Sequence, residues 1–252
     1  MPGSASAQRL LMQHVGDETA AQSDAEDKDN FGRTMAAGDF DQDGYVDLAI
    51  GAPFYDDTNG GSDEKVGAVY VLWGPIGTGT ARNLVIEGGA SMPMELRAAY
   101  EANLVQTGAS LAVIEGSPPL LFVGSPGRVF DGEPDLTDAG AGNLWRCISG
   151  TRSFDHVAEV RLFDPRTEDF FGSVVANLDN GRFVVGSRAG GAAGLFSVAD
   201  VDSGELLPRA LIESTDPDFA QRVFGATLDG NSIGDVAISV STFGSNSGRV
   251  NV

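Results

Sequence analysis

Asp39, Asp41, Asp43 and Asp47 occupy the first, third, fifth and ninth places of the stretch DFDQDGYVD. Alternate carboxylates on a tightly turning chain point inward to one centre. Gly44, at the sixth place, permits the left-handed bend that keeps such a turn closed. Tyr45, at the seventh, would offer its backbone carbonyl. An all-oxygen set of this kind suits Ca²⁺, a hard cation that takes roughly 6–8 oxygen ligands. Without a cation, four carboxylates so close would repel one another by on the order of several kcal/mol. The loop is not an EF-hand. Its twelfth place is Ile50 rather than a bidentate Glu, and both flanks read as strands. The competing reading is an Asp/Gly-rich hairpin that holds no metal.

A weaker second set lies near the end of the chain. Asp229, Asn231, Ile233 (through its carbonyl) and Asp235 fall at matching places if Asp235 is aligned with Asp47. Thr227 then stands where the first aspartate should be, and a plain tight turn competes with a metal site. Catalytic groupings are scarcer. The two histidines, His14 and His156, lie beside no nucleophile arrangement visible in the sequence. There is no G-x-S-x-G, H-E-x-x-H or P-loop motif. Among 36 Asp+Glu, a carboxylate pair for glycoside hydrolysis stays open as an alternative. Cys147 is the single cysteine, so no intrachain disulfide forms, and the apolar run around it reads as a strand.

The elements that carry these residues read as short strands. Residues 31–37 make a first strand, 39–47 the carboxylate loop and 48–51 a second strand. VGAVYVLW at 66–73 is a third, rich in β-branched and aromatic residues, and NLVIE at 83–87 a fourth. The pattern then recurs. Residues 106–113, 119–126, 142–148 and 158–163 form a second unit. FFGSVVANLD, RFVVGS, AGLFSVAD and RALIES form a third. VFGATLD, DVAISV and SGRVNV form a fourth of three strands. The Phe-Gly step, or its Thr107-Gly108 counterpart, falls at 31, 107, 171 and 224, at intervals of 76, 64 and 53 residues. Residues 94–103 read as a short helix on the longest interval. Trp73 and Trp145 hold equivalent third-strand places and read as packing between units.

A repeat near this length, with four short strands per unit, points to an all-β fold, a β-propeller of four four-stranded blades. The blades would start near 31, 107, 171 and 224 within one domain over residues 8–252, after a tag-like or disordered segment at 1–7. The apolar run at residues 8–15 would complete the last blade. Closure by this N-terminal strand would remove an open sheet edge. The alternative is an open half-ring that pairs with a second copy into eight blades. A monomer is the expectation.

The chain is strongly acidic. Its 36 Asp+Glu against 16 Lys+Arg give a formal charge of −20. Such a surface repels nucleic acid and anionic membranes. No apolar run approaches the roughly 18 residues that a spanning helix needs.

FG…GDFDQDGYVDLAIGAP resembles the FG-GAP repeat of the integrin α-subunit N-terminal propeller and its bacterial relatives. The resemblance rests on Phe31-Gly32, the four aspartates and Gly51-Ala52-Pro53. The later units match it weakly, as TG…GSP, FG…GSR and FG…ISV. The resemblance implies a Ca²⁺-binding, non-catalytic adhesion module, extracellular or at the cell surface, with a protein or glycan ligand. Two departures stand out. Family propellers usually have seven blades, and usually carry several calcium loops, whereas units two and three lack the ligand set.

Overall fold

The computed structural model describes residues 29–55, 65–76, 82–87, 91, 104–130, 138–189, 191–214, 219–226, 235–240 and 249–251. The protein is all-β. Among the described residues the helical content is a single 3₁₀ turn, Val198–Asp200, and no helix is long and apolar enough to cross a membrane. The segments 8–15 and 94–103, read above as a closing strand and a helix, lie outside the described residues.

The strands gather into four sheets in chain order. The first is β1 (Thr34–Gly38), β2 (Asp47–Ala52), β3 (Ala68–Leu72) and β4 (Arg82–Glu87). The second is β5 (Ser110–Ile114), β6 (Leu120–Ser125), β7 (Ala141–Cys147) and β8 (Phe154–Val160). The third runs β9 (Phe171–Asn177), β10 (Arg182–Ser187), β11 (Ala192–Ser197) and then β13 (Ala210–Glu213). Between the last two lies β12 (Glu205–Leu206), which leaves its own sheet and pairs in parallel with β8. The fourth sheet has β14 (Phe219–Ala226), β15 (Asp235–Val240) and β16 (Arg249–Asn251). Within each sheet, consecutive strands are antiparallel neighbours.

Alternation along the inner strands explains how the sheets stack. In β6, Leu121 and Val123 face the first sheet, packing with Val69, Val71 and Trp73. Leu120 and Phe122, on the other face of β6, pack with Phe183, Val185 and Phe196 of the third sheet. In β10 the same split recurs. Phe183 and Val185 turn back to the second sheet, while Val184 turns forward to Val223, Val236 and Ile238 of the fourth. A strand covered on both faces needs an unbroken apolar run, which is why LLFV and FVV lack polar residues. Phe183 stacks on Phe196 with ring centroids 5.5 Å apart, and each such side chain contributes about 1.5–3 kcal/mol on burial. Trp73 and Trp145 both sit in the core between sheets one and two, as expected for packing residues.

The joints between sheets are made from main chain. Gly51 Cα lies so close to the second sheet that a Cβ there would stand 2.2 Å from the Gly108 carbonyl oxygen. A Cβ on Gly124 would stand 2.0 Å from the Gly172 oxygen. The hydroxyl two residues after Phe31-Gly32, and after its counterpart Thr107-Gly108, spans the same joint. Thr34 Oγ1 donates to the Gly108 carbonyl at 2.7 Å, and Ser110 Oγ to the Gly172 carbonyl at 2.7 Å. Parallel bridges add a second tie, Gly67 to Thr107 and Gly140 to Phe171.

Register also re-aligns the fourth unit. Phe171 pairs with Ser187 and Val174 with Gly186 across a bulge; Phe219 pairs with Val240 and Arg222 with Ser239 across the equivalent bulge. Phe219 is therefore the register match of Phe171. Phe224-Gly225 falls inside β14, with Phe224 exposed.

The first strands β1, β5, β9 and β14 all line a cavity of about 270 Å³, and a second of about 370 Å³ adjoins it, lined from β1, β9, β14 and the residues just before β5. Among the described residues no strand pairing joins the fourth sheet to the first.

Candidate metal centre

The carboxylate loop joins β1 to β2, whose pairing ends at Gly38 opposite Asp47. It thus caps one end of the first sheet. Gly44 has φ +90° and no atom within 4 Å of where a Cβ would stand, so its glycine answers the backbone bend rather than crowding.

Asp39, Asp41 and Asp43 converge. Ligand oxygens from all three lie within 4.8 Å of one another. Backbone amides set their orientation. The Asp43 amide donates to Asp39 Oδ1 at 3.1 Å and the Gly44 amide to Asp39 Oδ2 at 3.0 Å. The Asp43 amide also reaches Asp41 Oδ1 at 3.3 Å, and the Tyr45 amide donates to Asp43 Oδ1 at 2.9 Å. The Tyr45 ring points outward and is exposed. Such a set is hard, anionic and all-oxygen, which fits a cation of the Ca²⁺ or Mg²⁺ type and not a soft metal.

Asp47 is placed differently. Its side chain is fully buried at the base of the loop. Oδ2 accepts from the Phe40 amide at 2.8 Å and Oδ1 from the Gly74 amide at 2.7 Å. Asp47 thus ties the loop to the segment that follows β3. Burial pushes its carboxyl above the usual range and the two amides pull the other way, while the charges of Asp41 and Asp43 add to the rise. Three of the four aspartates form the cluster, and the fourth anchors it.

Arg152 arrives from the second sheet, in the loop between β7 and β8. Its Nε donates to Asp41 Oδ2 at 3.0 Å, and a terminal nitrogen lies 3.6 Å from Asp43 Oδ2. The guanidinium also lies 5.4 Å from the centre of the Trp73 ring. No local pattern marks Arg152, which is 111 residues from its carboxylate partner. Phe40 of the loop packs edge-on to Phe154 of β8 at 5.7 Å, so loop and second sheet also share a core contact.

Of the second set, Asp229, Asn231 and Ile233 lie outside the described residues, and Asp235 begins β15. His156 is committed to structure. It sits opposite Trp145, meets that ring edge-on at 5.1 Å and hydrogen-bonds to Asn143 Oδ1 at 3.0 Å.

Residues 31–72 match the family model of the FG-GAP repeat, consistent with an FG-GAP repeat protein. The match spans the Phe-Gly step, the carboxylate loop, β2 and β3. No curated protein matches the chain.

Proposed function

We propose that the chain is a Ca²⁺-binding, integrin-like β-propeller module that binds a protein or glycan partner and carries out no catalysis. The observation that carries this reading is the convergence of Asp39, Asp41 and Asp43 inside the matched FG-GAP repeat. FG-GAP repeats are typically non-catalytic ligand-binding modules, and they often bind Ca²⁺. Bound there, the ion would be held by the three clustered carboxylates, with the Tyr45 carbonyl as a further oxygen and Asp47 at the base. It would stiffen a loop at one rim of the sheets and relieve the carboxylate repulsion. A closed ring of four sheets is supported by the four first strands that line one cavity. An extracellular or cell-surface setting follows from the family reading, and a monomer follows from the closed ring.

The test is a thermal melt with Ca²⁺ and in metal-stripped buffer, beside a light-scattering mass. A ligand that binds only the folded state stabilises it by about 2.7 kcal/mol at a hundredfold excess over Kd. Ca²⁺ should raise Tm in the wild type and not in Asp43→Asn. A melt indifferent to Ca²⁺ would sink the metal reading. A mass twice the 26.2 kDa of the chain would instead favour two half-rings of eight sheets. Hydrolysis of glycosides by the purified protein would favour the enzymatic alternative.

A further inference from the structure

The cavity of about 370 Å³ beside the first strands lies at the opposite end of β1 from the carboxylate loop. Thr34 begins that strand, paired with Gly51, and the loop begins beyond Gly38. Its lining is unusual for this chain. Arg33, Arg188 and Arg222 all line it, and among the described residues no Asp or Glu does. The whole sequence has only 16 Lys+Arg against 36 Asp+Glu. The three arginines come from three separate places, just before β1, just after β10 and within β14. Convergence of three cations from different elements costs mutual repulsion that an anion would remove.

None of the three forms an ion pair with a described residue. Arg188 lies over the Phe170 ring with its guanidinium carbon 5.3 Å from the centroid, and its N–H groups donate to no described residue. The neighbouring hydroxyls are already turned to the backbone. Thr34 Oγ1 donates to the Gly108 carbonyl and Ser173 Oγ to the Phe170 carbonyl at 2.5 Å. Among the described residues, the donors left to the cavity are therefore the guanidinium forks, with the Gln106 side chain beside them. Planar forks match phosphate and sulfate oxygens two at a time. The cavity, at about 370 Å³, lies within the usual range for a small-molecule site of roughly 300–1,000 Å³.

We infer that this cavity is a binding site for a small ligand bearing a phosphate- or sulfate-type oxyanion, held by Arg33, Arg188 and Arg222. The inference is independent of the calcium reading. A protein of net charge −20 offers such an anion few other cationic sites. Recognition here would place an anion at one end of the first strands and a cation at the other.

The experiment is titration calorimetry of the full chain with pyrophosphate, inorganic phosphate and sulfate. Buffers are stripped of Ca²⁺ and chelator, and ionic strength is matched with sodium chloride. Saturable one-to-one binding is expected, weakened at least about tenfold by each of Arg33→Gln, Arg188→Gln and Arg222→Gln. All three side chains are exposed, and a melt of each variant checks that it folds. Asp43→Asn should bind the oxyanion as the wild type does. The order of affinity among the three probes separates phosphate from sulfate chemistry. Heat that vanishes at matched ionic strength, equal binding by the three arginine variants, or loss of binding in Asp43→Asn would each overturn the assignment.

Discussion

On the proposed reading of the carboxylate loop as a Ca²⁺ site, replacing Arg152 with glutamine should tighten binding there. The guanidinium sits against two of the three clustered aspartates, 3.0 Å from Asp41 and 3.6 Å from Asp43. A dication entering the cluster must share those oxygens with it or displace it. The Arg152 side chain is 50% exposed, so solvent screens both pairs. Exposed pairs of this kind contribute about 0.2–1 kcal/mol each. Two of them together oppose ion entry by on the order of 0.5–1.5 kcal/mol. At about 1.4 kcal/mol per tenfold, the variant should bind Ca²⁺ roughly 2–10-fold more tightly. The assay is calorimetric titration of wild type and Arg152→Gln at low and at physiological salt. The gap should narrow as salt rises, because the Debye length shortens to about 8 Å. Equal affinity would show that the arginine does not contest the cluster. Weaker binding by the variant would show that it holds the carboxylates in place for the ion, and the reasoning would fail.

Three further outcomes follow from packing and charge. Gly124→Ala should cost about 2–4 kcal/mol, from overpacking against the Gly172 carbonyl and loss of the Ser110 bond. Gly150→Ala, with φ +75° but open space around it, should cost only about 1–2 kcal/mol; denaturant midpoints that rank the pair the other way would contradict the joint described here. Cys147 is buried beside Asp41 and Asp47, and burial first, then those charges, push its thiol up to about 11. Iodoacetamide should therefore leave the native protein unlabelled at pH 8 and label it promptly after unfolding. Burial also raises the Asp169 carboxyl above its usual range, against the pull of the Arg166 amide and guanidinium. Because its folded value exceeds the unfolded one, its contribution is full below pH about 4 and lost as pH rises through the folded value. Asp169→Asn should thus melt higher than wild type at pH 7, and the two should converge near pH 4.

Much of the strand order can be read before any coordinates, for a physical reason. RFVVGS and DVAISV are bounded by turn residues on both sides, and β10 and β15 occupy those stretches. Where polar residues enter, the edges drift. β8 begins at Phe154, four residues before the expected start, because FDHV alternates without an apolar run. β12 escapes notice altogether, since two residues paired in parallel leave no periodicity. Phe224-Gly225 misleads by type: the dipeptide is present, yet register assigns its role to Phe219. At the site, spacing alone brings Asp39, Asp41 and Asp43 together. It does not separate Asp47, whose partners include an amide 27 residues away. The basic cavity has no sequence mark, because its arginines belong to three sheets.

The joints between sheets have a consequence for how such a chain can change. At Gly51 and Gly124 the contact consists of an absent side chain on one side and a peptide carbonyl on the other. A fastening of that kind does not recognise which neighbour it meets. At both joints it asks only for one glycine, one left-handed turn and one hydroxyl. At these two joints the main-chain fastening is therefore the same, while the side chains packed around it differ, Trp73 and Trp145 at the first and Phe122, Phe183 and Phe196 at the second. Aspartates or arginines can then be gained at single loops without refitting the stack. This chain shows that division of labour, with a common fastening at successive joints and a different charge at each end of the first strand.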